Sequence, residues 1–269
     1  MLKHIVCAAG MALAAIAAPL PLRAPQVGVI RDAAHNLRPV YGFSGNLIPG
    51  DPLPIRDVLA ASFSNDAGIV LTPGAIKVVT ATGIERGSYP TGEVQPVLGI
   101  AAAADTAAAW LPSEEKIIRW DGSAFRELPV SASDVPGPVV GIEMTDRDSI
   151  DLFIGTQQDA VETFRLSLKT GATNRLSAYA GVSGPAIAAG KAVVFPSADG
   201  LQVVSGVRPV ESIALHDSQL TIEKAAPDWV HVTSQATRRD WMLHIDRAHP
   251  TLSELPAVEP LLMPKEPVR

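Results

Sequence analysis

A repeated turn grammar is the feature that most constrains how this chain can fold. The stretch "KIIRWDGSAFRELPV" (116–130) sets an apolar run against an Asp-Gly turn and follows it with a second run. Five others share the pattern: "VGVIRDAAHNLRPV" (27–40), "IKVVTATGIERGSYP" (76–90), "ETFRLSLKTGATNRLSAY" (162–179), "LQVVSGVRPVESIAL" (201–215) and "WMLHIDRAHPTLSELP" (241–256). Their turns, centred on Ala34, Gly83, Gly122, Gly171, Gly206 and Ala248, recur at a mean spacing of about 43 residues. A second turn series lies between them, around Asp66, Asp105, Asp148, Gly190 and Asp228, with nearly the same spacing. Asp and Gly recur there because they tolerate turn backbone or bond it locally.

Two interleaved series of one period define a unit of four strands, and five complete units span about 58–90, 96–130, 139–179, 183–215 and 219–256. A lone unit cannot bury both its faces, but units stacked radially about an axis cover one another. The expected fold is therefore all-β: a β-propeller of five to six four-stranded blades over residues 27–256. Six hairpins of the first kind against five units imply that residues 27–43 supply the outer half of a last blade, whose inner half is missing or comes from the carboxyl tail. The termini should then meet. "GIAAAADTAAAW" (99–110) holds seven alanines and favours a helix on propensity, yet Asp105 falls on the turn period, so two strands are expected there.

The 269 residues include 23 prolines and 21 glycines, and the chain is 47% hydrophobic against 19% charged, the composition of a folded, turn-rich protein. Residues 1–24 have the layout of a signal peptide: Lys3 and His4, an uncharged run from Ile5 to Leu22, then proline and small residues, with cleavage expected between about 17 and 26. The apolar run is short and Ala-rich for a spanning helix, so no stable membrane span is expected after cleavage. Cys7 is the only cysteine and lies in this leader, which leaves a mature chain without disulfides. Loss of residues 1–17 removes Lys3 alone, taking the formal net charge from −6 to −7. An acidic chain with no basic cluster is a poor fit to nucleic acid. Residues 257–269, "AVEPLLMPKEPVR", read as a Pro-rich extended tail, with Leu261, Leu262 and Met263 as a segment able to dock as a strand or on a partner.

In period and turn grammar the chain resembles β-propeller repeat proteins of the WD-repeat and YVTN-repeat type, as a divergent exported member. Trp120-Asp121 is similar to the WD dipeptide, but it occurs once and without an upstream Gly-His, and no YVTN tetrapeptide is present. The resemblance implies a fold and no particular function.

Chemistry-bearing residues are sparse. Asp146, Asp148 and Asp151 in "DRDSID" lack the spacing, glycine and bidentate acid of a calcium loop and read as a solvated turn. Glu143 and Glu223 are the carboxylates on expected inner strands, and so the candidates for a general acid and base; the competing reading pairs each with a neighbouring Lys or Arg. His231 and His244 are the metal candidates. If Thr237 and Arg238 centre their turn, the two imidazoles face each other across a strand pair, with Asp228 and Asp246 directed elsewhere. No cofactor is implied by any motif. The expectation is an exported, periplasmic or extracellular, non-enzymatic binding or scaffold protein whose partner is another protein or a cell-envelope component. The alternative is a propeller hydrolase, lactonase- or glycosidase-like, with an axial carboxylate or metal site.

Overall fold

The computed structural model describes residues 24–257 other than 103–105, 129–135, 207–210, 216, 218 and 247–248. The expected leader with Cys7, the expected turns at Asp105 and Ala248 and the segment 261–263 lie outside the described residues. Those described form strands and turns with no helix. No helix among them is long and apolar enough to cross a membrane.

Six antiparallel sheets follow one another along the chain, each a meander of consecutive strands. Blade one has three strands, β1 (Gln26–Arg31), β2 (Leu37–Phe43) and β3 (Asn46–Pro49). Blade two is β4 (Ala60–Phe63), β5 (Ala67–Thr72), β6 (Ala75–Thr80) and β7 (Glu85–Pro90). Blade three is β8 (Val97–Ile100), β9 (Ala107–Leu111), β10 (Lys116–Trp120) and β11 (Phe125–Glu127). Blade four has the longest strands, β12 (Val139–Asp146), β13 (Ser149–Gly155), β14 (Ala160–Ser167) and β15 (Thr173–Ala180). Blade five is β16 (Ile187–Ala189), β17 (Ala192–Ser197), β18 (Gly200–Ser205) and β19 (Glu211–Ala214). Blade six is β20 (Leu220–Ala226), β21 (Trp229–Ser234), β22 (Asp240–Ile245) and β23 (Pro250–Glu254). The first strands of successive blades touch one another around a common axis. This is a six-bladed β-propeller.

Burial explains why these sequences become these strands. Second strands are sandwiched on both faces: every residue of β5 and of β9 is buried. That requirement overrides helix propensity in "AAAWL", because β9 pairs with β8 on one side and β10 on the other, and its alanines let adjacent sheets approach closely. Glycines do the same on the first strands. A Cβ on Gly99 would lie 2.3 Å from the Ile142 carbonyl oxygen, and one on Gly141 would lie 2.3 Å from that of Ala186. Outer strands are the opposite case, with the first four residues of β15 exposed and the rest alternating half-buried and exposed. Apolar clusters lie between blades; Trp120, for example, packs with Ile69, Val78 and Ile118 between blades two and three.

The first and last blades meet, by a different route from the one expected. Leu255 is buried in one cluster with Ile30, Val40, Leu47 and Trp229 between blades six and one. The Gly45 N–H donates to Ser253 Oγ at 2.9 Å across that seam. Blade six is complete in its own four strands, however, and residues 26–49 form a separate blade whose β1 is the axial strand, with Gly28, Val29 and Ile30 buried. The expectation of an outer half-blade is thus corrected. A hairpin of two β-rich runs has the same sequence grammar whether it is the inner or the outer pair of a blade. The difference lies in burial of β1 on both faces.

Candidate functional site: a cleft between blades four and five

Across most of the seam between blades four and five the two sheets are locked by Phe153, Val161, Val182, Ala186, Val193 and Phe195. Towards one end the packing opens. Blade four there presents polar side chains, with Glu143 on β12 directly opposite Asp151 on β13. Blade five answers with Ala188, Gly190, Ala192 and Gly206, which are too small to fill the space. The result is a cleft of about 400 Å³ running from the axis, where Glu143 and Lys224 lie, to Leu176 and Tyr179 on the outer strand β15.

At its axial end Lys224, 4% exposed, reaches from β20 past blade five to blade four and donates to Glu143 Oε1 at 2.6 Å. Burial pushes the Glu143 carboxyl up to about 7; the Lys224 ammonium opposes that rise and the Asp151 carboxylate adds to it. Asp151 is itself held by a fork from Arg165, Nε to Oδ1 at 2.7 Å and Nη2 to Oδ2 at 2.8 Å. Further out, Thr163 pairs with Phe153 in register and is 4% exposed. Its Oγ1 is buried and has no hydrogen-bond partner, an unusual state for a hydroxyl. Tyr179 and Ser177 complete the outer wall, their hydroxyls 3.2 Å apart. Lys191 and Asp228 stand exposed at the mouth.

Both axial carboxylates singled out in the sequence are therefore ion-paired. Glu223 meets Arg31 of β1 at 3.0 Å, tying blade six to blade one, and Glu143 meets Lys224. The two acids do not share a site.

The histidines are not brought face to face. His231 lies opposite Met242, and His244 lies opposite Trp229, on whose ring it stacks with centroids 4.3 Å apart. The expected register is two residues out because the β21–β22 turn centres on Ala236 and Thr237, one residue earlier than expected. The Ser234 N–H donates to the Arg239 carbonyl, and Arg238 takes a left-handed φ of 58°. His231, 2% exposed, pairs instead with Asp240, Nε2 to Oδ1 at 2.9 Å. The acids of "DRDSID" are likewise engaged locally: Asp146 accepts the Asp148 N–H, Asp148 meets Lys169 at 2.7 Å, and Asp151 holds Arg165. Among the described residues no group of three or more His, Cys, Asp or Glu could hold a metal.

Sequence reading missed Lys224 and Thr163. The signals were present but faint: a lysine inside "TIEKAA", amid a buried strand, and a threonine alternating with Val161 and Arg165 on one face of β14.

No family model and no curated protein matches the chain. Solved structures do resemble it. A chain of the nidogen/laminin complex superposes with a TM-score of 0.55 and 10% identity over 84% of this chain and 96% of that one. TolB from Acinetobacter baumannii gives 0.52 and 12% identity over 84% of this chain and 62% of that one, so the similarity spans less than two thirds of that TolB. At these identities the likeness establishes the propeller fold, shared with chains of unrelated sequence.

Proposed function

We propose that this protein is an exported, non-enzymatic binding or scaffold propeller of the cell envelope, with the cleft between blades four and five as its ligand site. The observation that carries the reading is the Thr163 hydroxyl, buried without a partner in a concave cleft of mixed polar and apolar lining. Ligand sites combine an apolar wall with a few unspent polar groups in this way. Export rests on the leader-like amino terminus. That one similar structure is a complex between two proteins accords with a protein partner.

A benzophenone side chain placed at Leu176, on the rim of the cleft, should form a discrete covalent adduct in the native host. The same group at Val94, exposed far along the chain, should not. Equal labelling at both positions, or none at Leu176, counts against the cleft.

One observation favours the hydrolase alternative: Glu143 is partly protonated near neutrality beside an Arg-held Asp151, an arrangement that separates an acid from an ionised carboxylate. Turnover of nitrophenyl glycosides or lactones by the purified protein, abolished in Glu143→Gln, would replace the binding reading with that one.

A further inference from the structure

We propose that the cleft binds a carboxylate carried on an apolar body, with the Lys224 ammonium as its counter-ion. The inference rests on the cleft being the ligand site and adds the chemistry of what enters it. Of the cations lining the cleft, Lys191 is exposed at the mouth, while Lys224 is buried at the axial end. An ammonium carries three N–H donors, and Glu143 accepts one of them, so the same nitrogen can receive a second acceptor from the cleft side.

An added negative charge next to Glu143 would ordinarily be repelled. Here Glu143 can become neutral at little cost, because burial already holds its proton near neutrality. The incoming carboxylate takes over as partner of Lys224, Glu143 takes a proton from solvent, and the net charge of the buried group is unchanged. Of the other charges facing Glu143, the Asp151 carboxylate adds to its tendency to hold a proton. Asp151 on β13 is held by the Arg165 fork from β14, and one cation and one anion, Lys191 and Asp228, stand at the mouth. The body of the ligand meets Phe153, Tyr179, Val193 and Val204, and Thr163 Oγ1 offers a hydrogen bond to a further polar group.

Calorimetry on the mature protein with hexanoate, hexanamide and hexylammonium tests this. Hexanoate should bind, with the amide and the amine at least about tenfold weaker. Its affinity should be about tenfold higher at about pH 6 than at about pH 8, with a proton taken up, as linkage to a group titrating near 7 requires. Lys224→Met should remove the preference for hexanoate over hexanamide. Should that variant fail to fold, the wild-type pH dependence and the wild-type preference for hexanoate over hexanamide still decide the matter. A short peptide acid and its C-terminal amide distinguish the source: a peptide acid that outcompetes hexanoate identifies a protein carboxyl terminus, and the reverse identifies a small aliphatic acid. Hexanamide binding as tightly as hexanoate would overturn the carboxylate while leaving the cleft as a site. Failure of every probe to bind would overturn both.

Discussion

Glu93 shows how much of this fold hangs on single side chains outside the strands. It lies in the loop between blades two and three and is buried, with Oε1 accepting the N–H groups of Val94 and Gln95 and Oε2 accepting the N–H and hydroxyl of Ser113. Those bonds, led by the Ser113 hydroxyl, draw its pKa from the ordinary 4.5 down to about 2. A carboxylate with a depressed folded pKa contributes stability that is full above its unfolded value and is lost as the pH falls through the folded one. The protein should therefore lose stability between about pH 4.5 and 2 on account of this residue. Glu93→Gln must present an NH₂ to donors on one side. It should cost about 1–3 kcal/mol at neutral pH and flatten the acid limb of a melting-temperature profile. An unchanged profile would mean that Glu93 does not anchor the loop. Glu143 is the contrasting residue, a carboxylate pushed up by burial rather than down by donors, and that contrast is why one reads as structural and the other as part of a site.

Within the strands, the recurrent device is glycine on the axial strand. Gly28, Gly99 and Gly141 each face a carbonyl of a neighbouring segment, Ala225, Ile142 and Ala186 respectively, at distances no Cβ accepts. Since the obstructing atoms are backbone, relief requires moving a blade, and Gly141→Ala should cost about 1–3 kcal/mol or more by overpacking. Gly92→Ala, where nothing lies within 4 Å, should be close to neutral by the same melts. Equal effects at both positions would remove the close-approach account. These elements also show where legibility in the sequence stops. The period was readable because each blade needs Asp or Gly at its turns, and "GIAAAADTAAAW" could be placed as two strands from spacing alone. The β21–β22 register was not, since nothing in the composition of "SQATRRD" marks Ala236 and Thr237, rather than Thr237 and Arg238, as the centre of the turn. The Lys224–Glu143 pair joins residues 81 apart in sequence, and nothing local announces such a partnership.

At the scale of the molecule, blade one differs from the rest in having no fourth strand among the described residues. Tyr41, Phe43 and Ile48 are exposed on one of its faces, beside the edge of β3. The other outer strands keep their edges polar, and β3 is short and ends at Pro49, which lacks an N–H to offer a neighbouring strand.

Among the described residues the seam between blades six and one is made of side-chain packing, the Arg31–Glu223 pair and contacts such as Gly45 to Ser253, with no strand of one sheet inserted in the other. It is thus of the same kind as the five seams the backbone crosses, and the ring has no privileged starting point. A circular permutant makes this concrete: a short Gly/Ser linker joins Pro256 to Gln26, and the new ends are placed between the exposed Ser183 and Gly184, ahead of blade five. It should fold to the same all-β circular dichroism spectrum and melt within a few degrees of the parent, about 1 kcal/mol in a domain of this size. An insoluble or deeply destabilised permutant would reveal that one seam is assembled before the others and that blade order, not only blade packing, guides folding.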